Sequence, residues 1–123
     1  MKLLLSTLII IFLIGCSSKQ PIRTTKATII FKTPLMKFYD QGFLNYHNDY
    51  IELAIFNAGN IVLHLDIYKD QICQGTMQCL SSKEFNQKYL SESYKDTFLY
   101  DLFNQKKIYF KDKPNHILIK VKF

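Results

Sequence analysis

The sequence predicts a mainly β protein, a small antiparallel β-sandwich of about seven strands with a short helical insertion. Several segments alternate apolar and polar residues with a period of two, which places the apolar side chains on one face of a strand. Turn-forming residues separate these segments at short intervals, as in antiparallel sheets. A single curled sheet that carries the helices on one face is the alternative architecture.

The residue pattern at the N-terminal end of the domain predicts three short strands. Residues 26–32 alternate apolar and polar side chains and form the first. Segments 35–39 and 43–46 form the next two. We expect Gly42 to take a positive φ in a three-residue hairpin loop, 40–42, between them.

The clearest hairpin signal lies in the middle of the chain. Residues 50–56 and 61–68 both alternate, and residues 57–60, Asn-Ala-Gly-Asn, favour a turn between them. We expect the second strand to run on toward Cys73. This hairpin is predicted to form the centre of the core.

The period of the pattern changes after Ser81. Ser81 and Glu84 have the spacing of a capping box, which predicts a helix over about residues 82–90. A second helical segment follows, because four apolar residues fall on one stripe: Phe98, Leu99, Leu102 and Phe103. The helical insert therefore spans residues 82–104.

The C-terminus returns to strands. Residues 107–111 and 116–123 alternate, and Pro114 presets φ for the turn between them. With these two the count reaches seven strands, which we assign to one domain over residues 26–123.

The first sixteen residues have the pattern of an export signal. Lys2 precedes an apolar run that ends at Ile14, and the small Gly15 stands before Cys16. The apolar run has about twelve residues, fewer than the roughly twenty that a transmembrane helix needs. An ordinary signal with an incidental cysteine is the other alternative. The segment Leu13-Ile14-Gly15-Cys16 resembles the lipobox of secreted bacterial lipoproteins.

The lipobox resemblance implies a location and an anchor. It implies a signal peptide at 1–15, acyl chains such as palmitate on Cys16, and a lipidated tether at 16–25. Two or three acyl chains hold a protein stably in a lipid bilayer. In the family's sorting rules, Ser17 implies transfer to the outer membrane. The side of that membrane stays open.

Cys73 and Cys79 are the two cysteines that remain after Cys16. An exported domain meets an oxidising compartment, so the pair predicts a disulfide that closes a small loop. A metal pair and a redox pair are the alternatives. No histidine or third cysteine is near in sequence, and the spacing is not the two-residue spacing of redox motifs.

The body of the chain resembles a second group of proteins. Its aromatic-rich segment 81–103, its terminal strand 117–123 and its order of elements are similar to small outer-membrane lipoproteins of Campylobacter and Helicobacter with a variant immunoglobulin-like fold. The resemblance implies an immunoglobulin-like variant sandwich in the cell envelope. It supplies no catalytic residue.

The charge of the chain is positive but dispersed. Sixteen Lys and Arg oppose ten Asp and Glu, and Arg23 is the single arginine. The lysines are scattered between apolar positions, and only Lys106 and Lys107 are adjacent. This pattern favours attraction to anionic envelope components over a nucleic-acid interface.

Few residues suggest chemistry. His64 and Asp66 share one face of a predicted strand and could form a general base or a metal site, but His64 could equally pair with Glu52 across the hairpin. The cluster 47–49 falls short of a metal shell, and His116 is interpreted as a turn residue. The sequence contains no nucleophile elbow or phosphate loop. We therefore predict no enzyme, no metal and no cofactor.

The aromatic content suggests a binding surface. The chain has eight tyrosines and ten phenylalanines, and several are predicted on exposed faces or loops: Tyr39, Tyr46, Tyr50, Phe56, Tyr68, Tyr94 and Tyr100. Tyrosine-rich surfaces are favoured at protein interfaces, although the helices could equally bury these rings.

We therefore predict a non-enzymatic protein-interaction or adhesin-like module that binds another envelope protein or a host surface ligand. The predicted binding residues are Tyr50, Glu52, His64, Asp66 and Tyr68. The alternative is a small apolar ligand held between sheet and helices, around Phe85, Tyr89, Phe98 and Phe103.

Overall fold

The computed structural model describes residues 21–75 and 78–123. The described residues form eight strands and two helices. In chain order these are β1 Arg23–Lys32, β2 Lys37–Tyr46, β3 Ile51–Asn57, β4 Asn60–Ile67, β5 Gln71–Gln74, β6 Gln78–Ser81, α1 Ser82–Tyr89, α2 Phe98–Phe103, β7 Tyr109–Asp112 and β8 Ile117–Lys122. The prediction of a mainly β protein with a helical insert is confirmed. The predicted signal peptide and Cys16 lie outside the described residues.

All eight strands belong to one antiparallel sheet in the order β6-β5-β4-β3-β2-β1-β8-β7. A second sheet, which the sandwich prediction requires, is not seen among residues 21–75 and 78–123. The alternative architecture, one sheet with helices packed on one face, describes the structure better. No helix in the described part of the chain has the length and apolar character needed to span a membrane.

Gly42 accounts for one error in the strand count. It does not form a loop, because β2 runs through it without interruption and pairs it with Ala27 and Ile55. A Cβ atom at Gly42 would lie 2.2 Å from the carbonyl oxygen of Ala54 and 2.8 Å from Cδ1 of Ile29. Glycine is therefore required here for the close approach of β2 and β3, and not for a turn.

The region around the two cysteines accounts for the other error. The central strand β4 ends at Ile67, and Cys73 lies on a separate short strand, β5, instead of on an extension of β4. Cys73 and Cys79 face each other in the β5–β6 hairpin and form the predicted disulfide. The pairing prediction is thus confirmed, while the strands that carry the cysteines were missed.

The core lies on one face of the sheet, where apolar side chains from most strands meet the helices. The largest buried strand side chains are Ile29, Phe31, Leu44, Ile51, Leu53, Ile55, Leu65 and Ile67. Phe85 of α1, together with Leu99 and Phe103 of α2, covers this face and is almost fully buried. We call this face the inner face and the opposite one the outer face.

Tyr46 belongs to this core, so its predicted exposure is wrong. Only 8% of the residue is exposed, and its hydroxyl donates a hydrogen bond of 2.7 Å to the carbonyl oxygen of Phe103. Burial raises the pKa of the Tyr46 hydroxyl. The bond ties the end of β2 to the end of α2.

Local signals placed both helices, the β3–β4 turn and the turn before β8 correctly. The Ser81 hydroxyl accepts a hydrogen bond of 3.1 Å from the backbone N–H of Glu84 at the start of α1. The β3–β4 loop consists of Ala58 and Gly59, with φ of 51° and 82°. Two positive φ values in a two-residue loop match the twist of a hairpin. His116, with φ of 56°, lies in the turn before β8.

We expect Gly42→Ala to destabilise the chain by about 2 kcal/mol or more, because the new Cβ would force the β2 and β3 backbones apart. Urea unfolding followed by circular dichroism measures the change. Gln41→Ala is the matched control, since Gln41 is exposed in the same strand and should change stability by less than about 0.5 kcal/mol. Equal stability of Gly42→Ala and the native chain would contradict the close approach.

Removal of the disulfide by Cys73→Ser with Cys79→Ser should lower stability by about 2 kcal/mol, the chain-entropy value for so short a loop. The fold should persist, because the buried core lies mainly on other strands and the helices. Thermal unfolding with and without reductant tests this. The reductant should lower the melting temperature of the native chain and leave the double variant unchanged.

Candidate functional site

Three ionisable side chains meet on the outer face of β3 and β4. Nε2 of His64 lies 2.8 Å from Oε2 of Glu52. The other oxygen of Glu52, Oε1, accepts a hydrogen bond of 2.6 Å from the side-chain amide of Asn45 on β2. Glu52 therefore has a partner on each neighbouring strand, and the predicted pairing of His64 with Glu52 is present.

Asp66 completes this group but lacks the same support. It stands directly opposite Glu52 in the β3–β4 register, so two carboxylates face each other across neighbouring strands. Its Oδ1 atom lies 3.8 Å from Nε2 of His64, too far for a hydrogen bond. That oxygen is buried and has no hydrogen-bond partner among residues 21–75 and 78–123. Like charges directly opposite each other destabilise a sheet, so Asp66 is the unfavourable member.

The pKa values of the two carboxyl groups shift in opposite directions. Burial favours the neutral acid at both, but hydrogen bonds from His64 and Asn45 outweigh it at Glu52 and lower its pKa. At Asp66, burial dominates and the charge of Glu52 adds to it, so its pKa is raised despite the nearby His64. The environment thus distinguishes two carboxyl groups that the sequence presents as equivalent.

A row of stacked rings borders this group at the ends of β3 and β4. The His47 ring stacks on Tyr50 with centroids 4.2 Å apart, and Tyr50 stacks on Tyr68 at 4.8 Å. Both tyrosines are only partly buried. Burial and the nearby charge of Asp66 raise the pKa of both hydroxyl groups, so both remain neutral donors at pH 7.

The structure therefore places all five predicted binding residues in one continuous patch. Asn45 and His47 adjoin these five residues. We call the whole patch the β3–β4 face: Asn45, His47, Tyr50, Glu52, His64, Asp66 and Tyr68. Sequence reasoning missed Asn45 and assigned His47 to a loop with no role. The alternation of β2 contained the signal for Asn45, since its pairing with β3 sets it opposite Glu52.

The other aromatic residues lie elsewhere and serve different roles. Tyr39 is exposed, and Phe56 packs edge-on against Phe43 with centroids 5.4 Å apart. Tyr94 packs against Phe98 and Phe110. Its hydroxyl donates to Asp112, and burial together with that carboxylate raises the tyrosine pKa. These contacts fasten the helical segment to β7.

The four aromatic residues of the alternative ligand site lie in different surroundings. Phe85 and Tyr89 border a cavity of about 370 Å³ between α1 and the β5–β6 hairpin. Phe98 packs on Phe110 with centroids 4.7 Å apart, and Phe103 is fully buried. The cavity is also lined by polar residues, including Gln74, Gln78 and Lys88. The four rings do not line one apolar chamber.

The β3–β4 face offers ligand atoms for a cation. One nitrogen of His64 and one carboxylate oxygen from each of Glu52 and Asp66 lie within 4.8 Å of one another. This spacing allows one ion to contact all three side chains.

In comparisons with known proteins, no family model, no curated protein and no solved structure matches this chain.

We expect Asp66→Asn to raise the free energy of unfolding at pH 7 and Glu52→Gln to lower it. Each change should be no larger than about 1 kcal/mol, because solvent screens partly exposed charges. A raised pKa means that ionised Asp66 disfavours the folded state at neutral pH, a penalty that vanishes as the pH falls below 3.8. The lowered pKa of Glu52 adds stability above pH 4.5 that is lost as the pH falls.

Urea unfolding at pH 7 and pH 3.5, in buffer with EDTA, measures both effects. The gain from Asp66→Asn should shrink at the lower pH. A loss of stability in this variant at pH 7 would show that Asp66 has a stabilising role.

Proposed function

We propose that this protein is a non-enzymatic, lipid-anchored envelope module that binds a protein partner through the β3–β4 face. The observation that carries the proposal is the pair of stacked, partly exposed tyrosines, Tyr50 and Tyr68. They lie beside the polar side chains of Asn45 and Glu52. Stacked tyrosines present a large, rigid contact area at low cost in conformational entropy. Such residues are enriched at protein interfaces.

The rigidity of this face supports binding over catalysis. Glu52 is held from both sides by Asn45 and His64, and Tyr50 is fixed between His47 and Tyr68. Preorganised side chains lose less entropy when a partner docks.

The envelope location rests on the leader. The resemblance of residues 13–16 to a lipobox supports export, acylation of Cys16 and an outer-membrane address, and the disulfide suits an oxidising compartment. A lipid anchor would confine the domain near the membrane. The partner is then another envelope protein or a host surface ligand.

The alternative function is the binding of a small apolar ligand in the cavity between α1 and the β5–β6 hairpin. Its volume of about 370 Å³ is at the lower end of ligand sites. The polar lining and the separation of the four aromatic rings favour the β3–β4 face instead.

A photoreactive amino acid at position 68 should crosslink a specific protein in living cells. Position 109 is the matched control, because Tyr109 is an exposed outer-face tyrosine at the far edge of the sheet, on β7. Identical crosslinked products from both positions would contradict binding through the β3–β4 face.

Tyr50→Ala with Tyr68→Ala should weaken binding to the captured partner at least tenfold, because truncation of a tyrosine at an interface hot spot costs above about 1 kcal/mol. Tyr39→Ala with Tyr109→Ala removes two exposed tyrosines elsewhere on the sheet and should leave affinity unchanged. Titration calorimetry with the purified partner compares the two double variants. Equal affinities would move the binding site away from Tyr50 and Tyr68.

A further inference from the structure

We propose that Glu52, His64 and Asp66 form a binding site for a divalent transition-metal ion, with Zn²⁺ as its probe. The ligands are Oε2 of Glu52, Nε2 of His64 and Oδ1 of Asp66. This inference goes beyond the proposed partner binding and does not depend on it.

The three ligand atoms are close enough together to hold one ion. Zn²⁺ binds imidazole nitrogen and carboxylate oxygen at about 2.0 to 2.2 Å, so neighbouring ligand atoms lie roughly 3.4 Å apart in a tetrahedral site. The distances from Nε2 of His64 are 2.8 Å to Oε2 of Glu52 and 3.8 Å to Oδ1 of Asp66. Small side-chain rotations would bring all three atoms to one ion.

An oxygen of Asp66 lacks a hydrogen bond within the part of the chain that the structure describes. Its Oδ1 atom is buried, lies near His64 and receives no hydrogen bond from any residue that the structure describes. A buried carboxylate oxygen without a partner costs free energy, and a bound ion is one of the few groups that would compensate it. The same ion would neutralise the repulsion between Asp66 and Glu52, which stand opposite each other.

Neighbouring side chains and the strand register hold the ligands in place. Asn45 holds Oε1 of Glu52 at 2.6 Å and leaves Oε2 turned toward His64. Metal ligands commonly have such a second hydrogen bond, which orients the ligating atom. Glu52 and His64 lie on adjacent paired strands, and the i, i+2 spacing puts Asp66 on the same side as His64.

The chemistry of the ligand set selects the class of ion. An imidazole nitrogen favours zinc, iron, copper or nickel over calcium and magnesium, which prefer oxygen alone. Three protein ligands leave a fourth tetrahedral position open. The three side chains are 24% to 30% exposed, so this position is accessible to water or to a donor atom of a partner.

Titration calorimetry of the full chain in detergent with Zn²⁺ tests the proposal. We expect saturable binding of one ion per chain, and weaker binding of Ca²⁺. His64→Asn and Glu52→Gln should each reduce the affinity at least tenfold, and Asn45→Ala should reduce it about tenfold through loss of the orienting bond.

Matched controls are a histidine and a glutamate outside the group. His116→Asn and Glu92→Gln make the same chemical changes at exposed positions and should retain native affinity. Absence of saturable binding, full binding in Glu52→Gln, or tighter binding of Ca²⁺ than of Zn²⁺ would overturn the proposal.

Asp66→Asn gives a second test that does not depend on loss of fold. In EDTA this variant should melt at or above the temperature of the native chain, because the unsupported charge is gone. Added Zn²⁺ should raise the melting temperature of the native chain, since an ion that binds the folded state stabilises it, and should not raise that of the variant. An equal rise in both chains would overturn the role of Asp66.

Discussion

Burial of the inner sheet face under two short helices is the interaction on which the rest of the structure depends. An open sheet with one apolar face needs a cover, and Phe85, Leu99 and Phe103 provide it from the segment between β6 and β7. Each such side chain contributes roughly 1.5 to 3 kcal/mol by leaving water. The connection between the two edge strands β6 and β7 thus supplies the cover of the hydrophobic core. Tyr46 fastens this cover through its bond to the Phe103 carbonyl.

One-sided burial leaves the outer face free to carry polar groups. Strand alternation places Glu52 between the buried Ile51 and Leu53, so the same backbone that builds the core also presents the ionisable side chains. The rigid sheet then sets their distances, including the contact of His64 with Glu52. The outer face tolerates an unfavourable carboxylate at Asp66 because the inner face holds the fold.

The sequence was sufficient where the signal is local. Alternation located the central hairpin, the spacing of Ser81 and Glu84 located α1, and export context with cysteine spacing predicted the disulfide. It failed where a partner strand decides the outcome. Gly42 looks like a turn residue until Ala54 is placed beside it. Alternation predicted that the five proposed site residues share one face, whereas the place of Asn45 beside Glu52 required the register between β2 and β3.

The two edges of the sheet limit how neighbouring molecules can join through their strands. The edge strands β6 and β7 have only four residues each, and β6 is closed onto β5 by the disulfide. Exposed edges are templates on which sheets of different molecules can join, and short or blunted edges resist this. Edge strands of four residues therefore offer little backbone on which a strand of another molecule could pair. Contact with a neighbouring molecule is then left mainly to the faces of the sheet.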